Sequence, residues 1–521
     1  MAVSHRTNKP MNPAHLPDFR PLGSPCASRR LLLLCWLSAS LQVCDVPAAD
    51  LSADTAYELS TFALPESLKL EVSGMALLPH GSVALALRKG EIWIADQTKD
   101  PTTTHYRLFA EGLHEPLGLS YHEGSLYTVQ RTELTRIADE DGDGQADTYW
   151  SVARGWGVTG NYHEYAYGPQ FDRQGNAWIT LNASIGKGPK PEDNAWRGWS
   201  LRVAPDGQWE PVSYGFRSPC GLGMNPEGDI FATDQQGNWF PTCPLIHIQP
   251  GAFHGHADAL VHGKGTPYEP RVRTPLPTGL TVAEAAKRIP DYRLPALWFP
   301  YRNMGMSSTD ILWDDGSGRF GPFEGQAFVG EFTMSMVLRV CLEQVEGQYQ
   351  GACFGFAEGL QCGVLRLAWD AAGDLLVGQS NRGWNSLGNR SFGLQKIHWT
   401  GEVPFEILRI QAMSDGFAIT FTQPLKEGIE ANLDLDTPSL SLRSHTYHYH
   451  ASYGSEPVDE LELEIVDWTL SEDRRRWNCQ VTPLREGYVH TFDFKGWSSE
   501  SGQPLTHPSA AYTLNRIPKG K

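Results

Sequence analysis

Six short segments of this chain repeat one phrase: a glycine, a polar or small residue, two apolar or aromatic residues, then a brief strand. They are GEIWIAD from Gly90, GSLYTVQ from Gly124, GNAWITL from Gly175, GDIFATD from Gly228, GQAFVGE from Gly325 and GDLLVGQ from Gly373. Three carry a matching run-up: DRQG, NPEG and DAAG. A glycine supplies the positive φ of a tight hairpin, and the apolar pair starts a buried strand. Most spacings are about fifty residues, the length of a four-stranded propeller blade. The 97 residues from Gly228 to Gly325 are the exception. TVAEAAKRIPDY within them predicts a short helix in an insertion, with a degenerate seventh blade as the alternative. The pattern predicts an all-β fold with a six-bladed β-propeller over residues 60–400.

After HWTGEVPFEI the phrase disappears. GFAITFTQPL, LELEIVDWTL, RRWNCQVTPL and YVHTFDFKGW alternate apolar and polar residues without the blade glycine. This predicts a C-terminal Ig-like β-sandwich over 401–521. In HTYHYHASYG, His448 and His450 share a strand face with His445 nearby, as exposed strand histidines or as metal ligands.

A chain of 521 residues is too long for one ordinary core, in keeping with two domains. Its formal net charge of −17 repels phosphate backbones and argues against a nucleic-acid partner. Residues 1–48 have signal-peptide anatomy: Arg29 and Arg30, an apolar run from Leu31 too short for a transmembrane span, and a small-residue exit near Ala48. Ser28-Arg29-Arg30 loosely resembles a twin-arginine signal and Cys44 a lipidation site, although Gln42 and Val43 fit a lipobox badly. Cleavage would leave a net charge of −20 and a periplasmic or extracellular protein. Export permits disulfides. No CxxC motif is present, which argues against covalent haem and a zinc ribbon. Cys341 and Cys353 lie symmetrically about Gly347, so either a cross-strand bridge or two buried thiols is expected.

The densest acidic motif is DEDGDGQAD. Asp139, Asp141 and Asp143 alternate, Gly144 permits the bend, and Gln145 and Asp147 follow. Hard oxygen ligands crowded on a loop suit calcium in a structural role, the alternative being a solvated acidic loop. Trp150 stands where an EF-hand keeps its bidentate glutamate, so the loop is EF-like only in part.

Propellers hold ligands at the mouth of the central channel. Polar residues flank the repeats there: His163 before the third, Arg217 and Ser218 before the fourth, Asp234, Gln235, Gln236 and Asn238 after it, and Arg382 after the sixth. His254, His256 and Asp258 follow in PGAFHGHADAL, as loop filler or as ligands of a transition metal.

The order of His163, GNAWITL, GFRSPCGL, EGDIFATDQQGN and the following PG segment resembles the soluble glucose and sorbosone dehydrogenase propellers, which use pyrroloquinoline quinone (PQQ). LHEPLGLSY, DEDGDGQAD, YHEYAYGP, EGLQCGVLR, NRGW and GEVPFE are similar to secreted propeller proteins of planctomycetes and verrucomicrobia. The resemblance implies that His163 is the base that takes a sugar hydroxyl proton as hydride moves to PQQ. It places Arg217 beside the quinone carbonyls and Gln235, Gln236 and Gly237 in the loop that cradles PQQ and its calcium, flanked by Ser218 and Asn238. Three departures stand out. Ser218 replaces the usual asparagine, DQQGNW lacks a Gly-Pro step, and only Arg339 and Arg382 are left to pair with PQQ carboxylates. Three readings follow: a sugar or alcohol dehydrogenase with a periplasmic electron acceptor, a non-catalytic propeller that binds glycans or envelope proteins, and a calcium-dependent lactonase-type hydrolase. Each takes a carbohydrate or other partner at the mouth.

Overall fold

The computed structural model describes residues 56–96, 98–186, 195–383, 385–429 and 439–520, so the signal-peptide segment lies outside the described residues. Gly124, Gly175, Gly228, Gly325 and Gly373 all hold positive φ, between 69° and 98°. Each leads into the second strand of a four-strand antiparallel meander, that of Gly325 forming one half of an eight-stranded sheet. Gly90 also has positive φ but opens the third strand of its sheet, Glu91–Asp96. The equivalent glycine there is Gly81, ahead of Val83–Leu87. The repeat of the first sheet is therefore read one strand too late from sequence, because GEIWIAD carries an aromatic at its fourth position and GSVALAL does not.

Six such sheets follow one another, with first strands Val72–Leu77, Ser120–His122, Ala166–Phe171, Gly221–Met224, Ser308–Trp313 and Val364–Trp369. Each first strand touches the next, and Val364–Trp369 touches Val72–Leu77, so the contacts close on themselves. Glycine makes that approach possible. A Cβ on Gly118 would lie 2.3 Å from the Gly168 carbonyl, and one on Gly221 would lie 2.2 Å from that of Thr309. The sixth sheet is completed by Tyr57–Thr61, which pairs with Phe392–Trp399 and joins the two ends of the series.

No further four-stranded sheet occupies the long gap. Residues 248–296 form an insertion between the third and fourth strands of the fourth sheet, Pro244–His247 and Leu297–Trp298. The expected helix is Val282–Arg288, opened by a capping box of Thr281 and Glu284.

The tail is all-β and continuous with the fifth sheet: Gln348–Ala357 pairs with Ser509–Leu514, which leads on to Tyr488–Phe494, Leu440–Thr446 and Val458–Glu462. A second sheet of Ile407–Ala412, Gly416–Phe421, Arg476–Thr482 and Glu464–Leu470 packs over it around Phe417, Trp477, Phe492 and Trp497. Arg339 belongs to this junction. Fully buried, it donates to the Ile407 carbonyl at 2.7 Å and to Gln326 at 2.7 Å, well inside a strand and not at a loop end. Cys341 and Cys353 are free thiols. The two-residue turn Glu346-Gly347, both at positive φ, pairs Val345 with Gln348 and sets Cys341 opposite Ala352. Cys353, one residue out of register, faces the other side of the sheet.

Candidate functional site

An antiparallel hairpin sets the entry of its first strand beside the exit of its second. The pairs Val72 with Leu87, Ala166 with Leu181, Gly221 with Thr233, Ser308 with Glu331 and Val364 with Gln379 do this in five of the sheets. Since the first strands touch in turn, residues at these positions gather around one mouth. His163, Arg217 and Ser218 precede first strands; Arg88, Arg131, Asn182, Asp234 and Arg382 follow second strands.

Buried acceptors shape this rim. Asp234, fully buried, takes the backbone N–H groups of Arg217 at 2.8 Å, Ser218 at 2.7 Å and Gln235 at 2.6 Å. Glu331 does the same for Met306 at 2.9 Å and for Ser307 and Met334. Burial pushes the Asp234 carboxyl up to about 6 and that of Glu331 up to about 7, against the pull of those N–H groups. Neighbouring His163 and Glu164 divide their work. Glu164 is fully buried and accepts from Ser184 Oγ at 2.7 Å, Thr159 Oγ1 at 2.8 Å and the Thr159 N–H at 2.6 Å, which closes the loop. His163 is half-buried. Burial, then the charges of Arg217 and Arg131, hold its imidazole below the ordinary 6.5, while the Ile185 backbone pulls the other way.

Arg217 is only 8% exposed, and among the described residues no acceptor serves its guanidinium; Nε is buried without a partner. It lies against Gly237, where a Cβ would be 1.9 Å from Nε, and beneath the Tyr453 ring, 5.4 Å from Cζ. Burial lowers its pKa. Asn182 donates to Ser218 Oγ at 3.0 Å and leaves its own buried Oδ1 unpaired. Arg131 donates to the Glu164 and Tyr162 carbonyls and pairs with Glu115, as does Arg88 at 3.2 Å. Arg382 pairs with Glu71 at 3.4 Å.

The remaining expected cofactor contacts have protein partners. Gln235 donates to the Ser308 carbonyl and accepts from Ser307 Oγ at 2.7 Å. Gln236 Nε2 donates to the Pro241 carbonyl at 3.0 Å, and Asn238 Nδ2 to the Ala451 carbonyl at 2.7 Å. Ala451 belongs to the tail. The loop from His448 to Ser455 lies along Gly237–Pro241, with further bonds from the Trp239 N–H to the His450 carbonyl and from the Gly454 N–H to the Gly237 carbonyl, both 3.0 Å. The tail therefore borders the mouth, a placement with no local sequence signal. Arg131 was legible, since it follows a second strand as Asp234 does, whereas the misread first repeat hid Arg88.

The acidic loop stands elsewhere, between the third and fourth strands of the second sheet, at the end away from the mouth. Single carboxylate oxygens of Asp139, Asp141 and Asp147 lie within 4.8 Å of one another; Asp143 is outside this group, its Oδ1 taking the Gln145 N–H at 2.8 Å. The other histidines form no such group among the described residues. His256 Nδ1 caps a short 3₁₀ helix through the Asp258 N–H, His254 packs on Phe216, and His445 bonds Tyr447 while His448 is exposed. A cavity of about 570 Å³ beside Tyr268, Arg271 and Asp291 in the insertion includes none of the mouth residues, and its Arg271 and Asp291 are paired with each other.

A family model described as a domain of unknown function (DUF7133) matches residues 73–293. No curated protein matches the chain. Among solved structures, the PQQ-bound aldose sugar dehydrogenase of Streptomyces coelicolor is 17% identical, with 66% of this chain and 98% of that one covered and a TM-score of 0.45. The soluble aldose sugar dehydrogenase of Escherichia coli, in its apo form, is 15% identical over 66% of this chain and 99% of that one, with a TM-score of 0.45. No helix among the described residues is long and apolar enough to cross a membrane.

Proposed function

We propose that this is an exported, sugar- or alcohol-dehydrogenase-like protein: the six sheets are blades of a six-bladed β-propeller, the tail is an Ig-like sandwich, and the mouth handles a carbohydrate hydroxyl. Arg217 carries this reading. A guanidinium nine-tenths buried without an acceptor is costly to keep, and a ligand oxygen that gains negative charge supplies what it lacks. His163, biased towards its neutral form beside that cation, is suited to take the hydroxyl proton. Arg217 stabilises the charge that develops as the carbinol becomes a carbonyl.

PQQ, when bound, would accept the hydride from the carbinol carbon. The orphaned Arg217 Nε and Asn182 Oδ1 fit such a group, with Ser218 beside them. Gln235 does not fit, because both ends of its amide are spent on protein partners, and the amide nitrogens of Gln236 and Asn238 are likewise engaged. That observation favours a second reading, a glycan-binding mouth without chemistry. A lactonase-type hydrolase has least support, since the three-carboxylate group lies on the far loop. There Asp139, Asp141 and Asp147 would hold a structural calcium.

The test supplies the purified protein with PQQ, calcium, a panel of aldoses and a redox dye. The dehydrogenase reading expects dye reduction that His163→Ala removes without a change in melting temperature. Aldose binding without dye reduction selects the glycan-binding reading.

A further inference from the structure

Two large rings stand exposed at the mouth: Tyr162, 56% exposed and 5.3 Å edge-on from the His163 ring, and Tyr453, 61% exposed over Arg217. They come from parts of the chain far apart in sequence. Tyr162 belongs to the loop entering the third sheet, whereas Tyr453 comes from the tail excursion. The backbone beneath Tyr453 is fixed. Tyr453 bridges Asn238, and the Gly454 and Ser455 N–H groups donate to the Gly237 and Pro241 carbonyls, each at 3.0 Å. A Cβ on Gly454, at φ 62°, would lie 2.8 Å from Gln236 Nε2 and would push that side chain aside. Behind it Tyr449 packs on Trp239, and His448–Tyr449 pairs with Leu280–Thr281 of the fourth-sheet insertion. An anchored backbone thus presents an uncovered ring above a cation that has no acceptor. Packing does not need this ring, whose outer face is open to solvent.

We propose that the tail completes the ligand site, with Tyr453 as a stacking platform for a saccharide ring whose oxygens reach Arg217 and His163. The inference rests on the carbohydrate reading above and adds a binding residue from a part of the chain not assigned to the site. Pyranoses fit this arrangement because they offer an apolar C–H face to an aromatic ring and hydroxyls at their edge. Tyr162 lies next to His163.

The full-length protein is titrated calorimetrically with maltohexaose, cellohexaose and hexagalacturonate, using wild type, Tyr453→Ala, Tyr453→Phe and the exposed-aromatic control Trp150→Ala on the outer strand of the second sheet. At least one saccharide is expected to bind wild type. Tyr453→Ala should weaken that Kd about three- to tenfold, the range of an aromatic stack, while Tyr453→Phe and Trp150→Ala stay within about twofold. All four proteins should melt together, since both substituted rings are mostly exposed. Equal affinities for wild type and Tyr453→Ala would overturn the platform while leaving the carbohydrate reading in place. Wild type binding none of the three would overturn both.

Discussion

The mouth and the acidic loop both crowd charges at strand ends, and they settle them in opposite ways. At the mouth, Asp234, Glu331 and Glu164 are buried and fully occupied, yet Arg217 beside them has no acceptor. On the loop the carboxylates of Asp141 and Asp147 are exposed, and several are held by the loop's own backbone: Asp139 takes the Gly142 and Gly144 N–H groups at 2.7 and 2.9 Å, and Asp147 takes that of Glu140 at 2.9 Å. Water and backbone can maintain the second arrangement without any ligand. The first is offset within the fold only by the nearby Asp234 charge and the Tyr453 ring, neither of which accepts a hydrogen bond from the guanidinium. Charge density in sequence is thus a weaker guide to function than a buried charge left unpaired.

The contrast between the two regions disappears if mouth residues prove structural. His163→Ala should lower kcat/KM for aldose oxidation by about 100- to 10,000-fold with an unchanged melt. One position on, Glu164→Ala should instead cost about 3 kcal/mol of stability, seen in denaturant unfolding, because three donors lose their acceptor. Arg217→Met sharpens the contrast: removing a buried unpaired cation should leave stability equal or raise it by about 1–4 kcal/mol while activity is lost. A large destabilisation would assign Arg217 to the core.

The pH profile is a smaller effect with a definite sign. Burial and two arginines disfavour the imidazolium of His163, so proton acceptance should hold from pH 8 through the ordinary 6.5 and fail only below it. Arg217→Gln removes one of those charges and should move the titration of the His163 imidazole, followed by NMR, upward. The smallest effect belongs to the loop. Calcium should raise the melting temperature modestly, and the joint substitution of Asp139→Asn and Asp147→Asn should abolish that increment. A wild-type melt indifferent to calcium and chelator would return the loop to a solvated turn.

Much of the scaffold was legible, because each hairpin glycine and its apolar pair lie within a few residues of one another. Gly90 shows the limit: hairpins inside one sheet look alike, and the true counterpart, Gly81, lacks the aromatic cue. The two irregular passages, the long gap and HTYHYHASYG, each stood out alone. Their mutual pairing through Leu280–Thr281 and His448–Tyr449 did not, since contacts this far apart in sequence leave no periodic trace. For the same reason Gln236 and Asn238 read as free polar groups on a mouth loop, although the tail covers one and bonds the other. Arg339 misled because side-chain type was legible and its buried strand position was not.

The most direct test follows the imidazole of His163 in protein labelled with ¹³C at histidine, its resonance identified by its loss in His163→Ala, at pH 6.5 during titration with an aldose. The account predicts a ring already mostly neutral without sugar, whose signal shifts on sugar addition and ceases to shift in Arg217→Ala. A ring mostly protonated at that pH, or one unmoved while the aldose binds, would contradict it.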